Sequence, residues 1–501
     1  MSDPIYLDYA ATTPVDARVA AAMGECLTRT GVFGNPASQH VFGRRARARV
    51  EAARAQVASL IGAPAAQIIW TSGATESNNL AILGTARAAR ARFAGRHQPH
   101  IVTSRTEHKA VLDPCRHLER AGASVTYLSP DASGRLTVAQ LAGALRTDTV
   151  LVSVMYANNE TGVLQDVPAL AALCRERGVA FHTDCAQAAP RMVLDVRTVP
   201  ADLLSFTAHK LYGPKGIGAL YVRNGARGLL QPILFGGGQE RGLRPGTLPV
   251  HQIAGFGAAC LLIRQQREDE ALRLEGLARR LWEGLEPLGV VYLNGAGAPR
   301  VPGILNVSFG GVEGESLIRG LGGLAVSAGA ACNSEAREPS YVLRALGRDA
   351  RLAESSLRFS LGRFSTAADV NVAIGAVSET VRRLRRLSPR APAPAQDAHW
   401  LAQGGRRVSG EAGTEAQGTW VRFHLLVHDD CVKDARFQAF ACPHTVDTAA
   451  WLCERLRGRR RSDLGAGTPA QWAEARSVPV EKLGRLLVVE DALNDCITRW
   501  T

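Results

Sequence analysis

The chain has no apolar run approaching the length of a membrane-spanning helix, and its N-terminus runs straight into Asp3 to Asp8 without a charged-then-apolar leader. These absences argue against a membrane or secreted protein, and a cytoplasmic location is expected. The ten cysteines are scattered, with no CxxC pairs of the zinc type, and in that compartment they read as reduced thiols. A formal net charge of +13 would permit a nucleic-acid partner. The excess is mostly arginine on helical stretches such as Gly43 to Arg49 and Arg382 to Arg386, without the aromatic interleaving that single-strand binders use. They read as solvated helix faces, so neither nucleic acid nor membrane is an expected partner.

What is present is core. With 501 residues and 46% hydrophobic content the chain exceeds one domain. From about residue 55 to 265 strand-like apolar runs alternate with helix-like stretches of alanine, leucine and arginine, the pattern of βαβ units on a mostly parallel sheet. A large domain is predicted over about 21–265. Residues 1 to about 20 and 266–388, where Gly289 to Leu293 and Ile304 to Phe309 alternate with helices, predict a smaller α+β domain built from both ends. The composition then shifts to the proline-alanine segment Ser388 to Gln396 and to Gly404 to Gly418, rich in glycine and small polar residues, which predicts a linker over 389–418. Beyond it, Trp420 to Val427, a turn at Asp429 and Asp430, and Val432 to Phe440 predict a hairpin, followed by helices at about 444–457 and 485–499. Residues 419–501 thus form an additional small α+β domain.

Chemistry concentrates in Ser205 to Gly218, where an apolar strand, Ala201 to Phe206, runs into Lys210 and then a glycine-rich turn. A lysine at that point is partly desolvated, and its neutral amine can form a Schiff base with an aldehyde cofactor such as pyridoxal phosphate (PLP). On its own the segment would read as a solvated loop lysine. PLP chemistry also needs a carboxylate for the pyridine nitrogen, and Val179 to Gln187 brings Asp184 to a strand end, where open parallel sheets place ligands. The same side chain would also suit a helix cap. Ile68 to Leu80 reads as a strand, a small-residue turn and a helix start, a setting that favours a phosphate.

These segments, with Tyr6 to Pro14, Gly34 to His40, Thr71 to Asn78, Thr106 to Val111, Asn158 to Gly162, Gly236 to Gln252, Ser327 to Cys332 and Ser356 to Gly362, resemble in order the cysteine desulfurases, PLP enzymes of the class V aminotransferase group. The resemblance covers roughly residues 4–390 and implies fold type I of the PLP-dependent transferases. It implies that Lys210 holds the cofactor and moves protons at the substrate's α-carbon, that Asp184 pairs with the ring nitrogen, and that His108 stacks on the ring. Asn159 and Gln187 would bond the substrate side and the ring oxygen, with Ala74, Thr75, Thr207 and His209 as the phosphate cup. Thr247 would reach the phosphate in a neighbouring subunit, making a homodimer. Arg358 would clamp the substrate carboxylate, which a guanidinium fork suits. Cys332, in a run of small residues, would take the sulfur of L-cysteine as a persulfide and leave L-alanine; packing as a small hydrophobe is the plainer fate of such a cysteine. The implied partners are sulfur-acceptor proteins such as an iron-sulfur cluster scaffold. No metal site is expected beyond Cys332 as a transient iron-sulfur ligand. A non-enzymatic adaptor, or a related class V transaminase or selenocysteine lyase, is the alternative.

The tail resembles the U-type iron-sulfur cluster scaffold through Lys433 to Pro443 and Leu487 to Leu493. Of that family's three cysteines and an aspartate, only Cys442 stands at its motif position. Gln417 to Thr419 and Gly484-Arg485 occupy the others, and one thiolate cannot hold a cluster alone. Cys431, Cys453 and Cys496 lie off the motif and read as core. Two readings stay open, a docking or regulatory module and a sulfur acceptor using Cys442.

Overall fold

The computed structural model describes residues 3–92, 98–328, 338–388, 400, 404–465 and 467–500. The large domain is a seven-stranded sheet with the spatial order Ile68–Thr71, Gly218–Val222, Leu203–Thr207, Ala180–Asp184, Thr149–Ser153, His100–Ser104 and Ser124–Leu128. Every strand but Gly218–Val222 runs the same way. The central strands are buried along their whole length, as expected where helices cover both faces of a parallel sheet. Their C-terminal ends define one edge of the sheet, and the functional residues gather there.

The smaller domain takes Ile5 and Leu7 from the N-terminal segment, whereas Tyr9, Ala10 and Val19, expected there as well, are buried in the core of the large domain. Ile5–Tyr6 pairs in parallel with Leu324–Ala325, beside an antiparallel sheet ordered Ser327–Ala328, Ser356–Ser360, Ile304–Phe309 and Val291–Leu293. The boundary expected near residue 265 falls inside one continuous helix, Val250–Leu285. The first half of that helix buries Ile253, Phe256 and Ile263 in the large core. Its second half buries Leu274, Leu281 and Leu285 in the small one. The domains therefore change over without a break in the chain's secondary structure.

The C-terminal unit differs from its expected outline. Arg406–Thr414, inside the stretch read as linker, is a strand in the antiparallel order Arg406–Thr414, Thr419–His428, Cys431–Phe440. Gly410 explains the composition: a Cβ there would lie 2.2 Å from the backbone nitrogen of Cys496 on the last helix, so only glycine lets the strand and helix approach. The hairpin turn is as expected, with Asp429 and Asp430 both left-handed (φ 49° and 55°), the conformation of a type I′ turn. Among the described residues three helices follow rather than two, Pro443–Leu456, Pro469–Arg476 and Leu483–Arg499. Cys453 and Cys496 are core, as expected; Cys431 is only half-buried, at the hairpin's edge.

This unit packs on the small domain of its own chain. Ser316 Oγ donates to the carbonyl of Ala441 at 2.9 Å, Lys482 pairs with Glu315 at 3.0 Å, and Arg351 meets Glu415 at 3.6 Å. Gln438 Nε2 donates to the Ser388 carbonyl at 3.3 Å. Trp400 Nε1 donates to Asp434 at 2.8 Å, which fastens the incoming chain to the unit's sheet.

Candidate active site

A cleft of about 510 Å³ opens at the C-terminal edge of the large sheet. Lys210 enters it from a single 3-10 turn, Ala208–Lys210, directly after Leu203–Thr207. The neighbouring strand delivers Asp184 at its last residue. Ala74, Thr75, His108, Asn159, Gln187, Thr207 and His209 line the same space, so the structure brings together most of the residues singled out from sequence.

Burial and the Arg358 and Arg191 cations lower the Lys210 amine to about 8, against the opposing pull of Asp184. It can thus be uncharged near neutral pH, as a nucleophilic amine must be. Asp184 Oδ1 accepts from the Ala186 amide at 2.8 Å at the start of a turn, with no helix there among the described residues for it to cap, and Oδ2 accepts from Asn78 Nδ2 at 2.7 Å. His108 is the N-cap of the helix Lys109–Arg120, with Nδ1 accepting from the Ala110 amide at 3.0 Å. The proton of the neutral ring therefore sits on Nε2. Burial lowers the pKa of His108, and it lowers that of His209, whose Nδ1 lies 3.1 Å from Thr12 Oγ1, to about 4.

At the other end of the cleft the helix Ala74–Arg92 begins, presenting unpaired amides and its positive dipole end. The glycine-rich turn after Lys210 closes against this point, because Gly218 approaches Gly73 so nearly that a Cβ would lie 2.6 Å from its Cα. A larger side chain there would push the strand Gly218–Val222 away from the helix start.

Two expected residues lie outside the lining. Arg358 sits behind Asn159, donating through Nη1 to the Asn159 carbonyl at 2.9 Å and through Nη2 to Asp8 Oδ1 at 2.7 Å and Ser327 Oγ at 2.8 Å. Its fork is already engaged by a carboxylate of its own chain. Thr247 is exposed, on the loop that precedes Val250–Leu285, and does not line this chain's cleft. Cys332 lies outside the described residues. Among the described residues no group of three or more His, Cys, Asp or Glu side chains is arranged to hold a metal ion, and no helix is long and apolar enough to cross a membrane.

Sequence reasoning missed Asn78 and Asp8, although both fall inside the motifs that carry the resemblance. It also missed Tyr212, two residues after Lys210. Tyr212 is left-handed (φ 59°), a conformation that costs a non-glycine residue about 1–3 kcal/mol and persists only where its surroundings enforce it.

Among known proteins, the chain matches the family Aminotransferase class-V over residues 5–372. It is 54% identical over 390 residues to the cysteine desulfurase IscS of Aeromonas hydrophila, covering 78% of this chain and 95% of that protein. The cysteine desulfurase IscS of Photorhabdus laumondii is 53% identical with the same coverage, 78% and 95%. Of solved structures, SspA in complex with cysteine superposes with a TM-score of 0.64 at 35% identity, covering 72% of this chain and 100% of that one. DndA from Streptomyces lividans gives 0.60 at 42% identity, covering 71% and 99%. The family match ends before the C-terminal unit.

The cleft suits PLP, the cofactor of this family. Three buried acceptors that line it, Asn159 Oδ1, Gln187 Oε1 and Asn78 Oδ1, have no hydrogen-bond partner among the described residues, a cost that a polar ring could relieve. The helix start fits a phosphate, Asp184 a protonated ring nitrogen, and the Lys210 amine an aldehyde. From this geometry and the extent of the match, the chain belongs to the class V aminotransferases and, within them, to the cysteine desulfurases.

Proposed function

We propose that the chain converts L-cysteine to L-alanine, with Lys210 as the base at the substrate's α-carbon, Arg358 as the carboxylate clamp and Cys332 as the sulfur acceptor. The observation that carries this reading is the pairing of Lys210, with its amine lowered to about 8, and the buried Asp184 on adjacent strand ends of one cleft. PLP, when bound, supplies an electron sink for the α-carbon. Asn78 and the Ala186 amide fix the orientation of Asp184 toward the place the ring nitrogen would take, while His108, with its proton on Nε2, stands at the cleft at the start of the helix Lys109–Arg120. Lys210 takes the α-proton and returns a proton to the product. The Cys332 thiolate attacks the substrate sulfur; the carbon–sulfur bond breaks as the sulfur–sulfur bond forms, and the carbon keeps the electron pair that is protonated to give alanine. The exposed position of Thr247, away from its own cleft, supports a homodimer in which it serves the partner's phosphate.

The test is incubation of the purified protein with L-cysteine, following alanine and protein-bound sulfane sulfur together. Both should appear in equal amounts in the first turnover, and Cys332→Ser should retain the bound cofactor while losing the sulfane sulfur. Wild-type turnover by Cys332→Ser would remove that residue from the mechanism.

For the tail, the docking reading is the one supported. Cys442 is fully buried, next to Ala441, whose carbonyl accepts from Ser316 of the small domain. Arg485, at another former ligand position, lies close enough to Glu313 and Glu354 of the small domain for their charges to interact. These contacts of the Cys442 neighbourhood and of Arg485 with the small domain support docking. Mass spectrometry of the Cys442 peptide after L-cysteine treatment separates the readings: an unmodified thiol is expected, and stoichiometric persulfide would establish the tail as an acceptor. The sulfur then goes to separate acceptor proteins, an iron-sulfur scaffold among them.

A further inference from the structure

Lys210 and Arg358 act on one substrate but come from different domains, and one joint connects the segments that carry them. Tyr212, two residues after Lys210, is 5% exposed and held on every side. Its amide donates to Thr13 Oγ1 at 2.9 Å, and its carbonyl accepts from the Asp16 amide at 3.0 Å. Thr13 also donates through Oγ1 to the His209 carbonyl at 2.9 Å, so the N-terminal arm grips the lysine turn before and after Lys210.

The third grip comes from the small domain. Arg363 lies five residues beyond Arg358, just past the end of the same strand, Ser356–Ser360. Its backbone amide donates to the Tyr212 hydroxyl at 2.6 Å, and its guanidinium lies 4.1 Å from the centre of the Tyr212 ring. That guanidinium is fixed in turn by Asp16 Oδ2 at 2.8 Å and by Glu270 Oε1 of the long helix at 2.5 Å. Asp16 also takes Arg18 at 2.8 Å, so it is shared between two arginines. The left-handed backbone of Tyr212 is what turns its ring into this contact.

We propose that Tyr212 and Arg363 are positioning residues for the reaction, setting the distance between the Lys210 amine and the Arg358 guanidinium. This rests on the assignment of those two groups to one substrate. Loosening the joint leaves both groups present and able to bind, but moves the base away from the α-carbon. The loss should therefore fall on kcat rather than on KM, because a displacement of about 1 Å at a reacting centre costs up to about a hundredfold.

The experiment uses the full chain loaded with PLP. The exchange of the α-hydrogen of L-alanine for deuterium, followed by NMR, needs Lys210 and Arg358 but not the Cys332 thiol, and is read beside kcat and KM for L-cysteine and the absorbance of the bound cofactor. Arg363→Met should exchange at least about tenfold more slowly, with KM and cofactor content close to wild type. Arg363→Lys, which keeps a cation for Asp16 and Glu270, should recover part of the rate. Tyr212→Phe keeps the stacked ring, loses only the hydroxyl and should slow exchange less than Arg363→Met; it decides the matter if Arg363→Met does not fold. Arg280→Met removes another arginine at the junction with the helix Ala367–Leu387, where its Nε donates to Asn371 at 2.7 Å, and should exchange normally. Wild-type exchange by both joint variants overturns the proposal, as does an equal loss in Arg280→Met, or a change confined to KM. A wild-type chain that neither exchanges alanine nor consumes cysteine overturns the desulfurase assignment instead, and the joint with it.

Discussion

The side-chain amide of Asn78, on the helix Ala74–Arg92, donates to Asp184 Oδ2 at 2.7 Å across the floor of the cleft. This bond to a charged acceptor contributes about 1.5–3 kcal/mol, and it keeps the carboxylate from turning toward solvent. Asn78→Ala should retain the Ala186 contact and weaken cofactor retention about tenfold, by the conversion of about 1.4 kcal/mol per decade. Asp184→Asn, which removes the charge itself, should lower turnover much further. Both are read from cofactor absorbance after dilution and from alanine release; an Asn78→Ala protein that holds its cofactor as tightly as wild type would show the bond to be idle.

Arg358 meets a carboxylate of its own chain before it meets a substrate. Asp8 Oδ1 lies 2.7 Å from Nη2, so in the role proposed for Arg358 a substrate carboxylate would share or replace that contact. Removing the competing charge with Asp8→Asn should lower KM for L-cysteine about threefold, equivalent to roughly 0.7 kcal/mol at about 1.4 kcal/mol per decade. Steady-state kinetics decides this. A raised KM would mean that Asp8 orients the guanidinium instead of competing for it.

The lowered Lys210 amine sets a pH dependence that can be watched without turnover. Only the uncharged amine captures the cofactor aldehyde, so the capture rate of cofactor-free protein should rise with pH, reach half its maximum near 8 and level off above. An ordinary lysine would still be climbing near pH 10. Arg358→Ala removes one of the cations that hold the amine down and should shift the midpoint upward. Stopped-flow absorbance gives both curves, and a midpoint near that of free lysine would contradict the site's electrostatics.

Docking of the tail can be reversed by charge. Lys482 and Glu315 are both mostly buried, with 17% and 14% of their side chains exposed. Lys482→Glu would set two carboxylates against each other in a poorly solvated place, which is strongly unfavourable. Alkylation of Cys442, negligible in the wild type, should then become rapid, while conversion of L-cysteine to L-alanine stays at the wild-type rate. Iodoacetamide labelling followed by mass spectrometry measures the first and an alanine assay the second.

Much of the cleft could be read directly because its residues stand at or just past the ends of short, fully buried strands. Leu203–Thr207 leads to Lys210 and Ala180–Phe181 to Asp184, a pattern in which local sequence and burial agree. The contacts that were not legible join distant segments: Asp8 with Arg358, Asn78 with Asp184, Tyr212 with Arg363. Nothing in the spacing of these residues pairs them, since only the packing of two domains brings them together. Arg406–Thr414 escaped for a different reason. Its glycines argue for a linker, yet Gly410 is there to admit the last helix, and Gly410→Ala should destabilise the C-terminal unit by about 1–3 kcal/mol through overpacking, measurable by chemical denaturation. The helix Pro469–Arg476 did leave a local signal, the capping box of Thr468 and Gln471 with Pro469 between them.

The helix Val250–Leu285 runs unbroken for 36 residues with one half in each core, which makes it a spar rather than a hinge. A spar resists the rocking by which many two-domain enzymes shut on their substrates, because opening would have to bend it or tear one half from its core. The distances between the lysine turn and the arginine strand are therefore set when the chain folds, not each time a substrate arrives. The tail, seated on the small domain, is carried on the same frame, so its station relative to the cleft follows from the architecture and not from the reach of the segment that joins it.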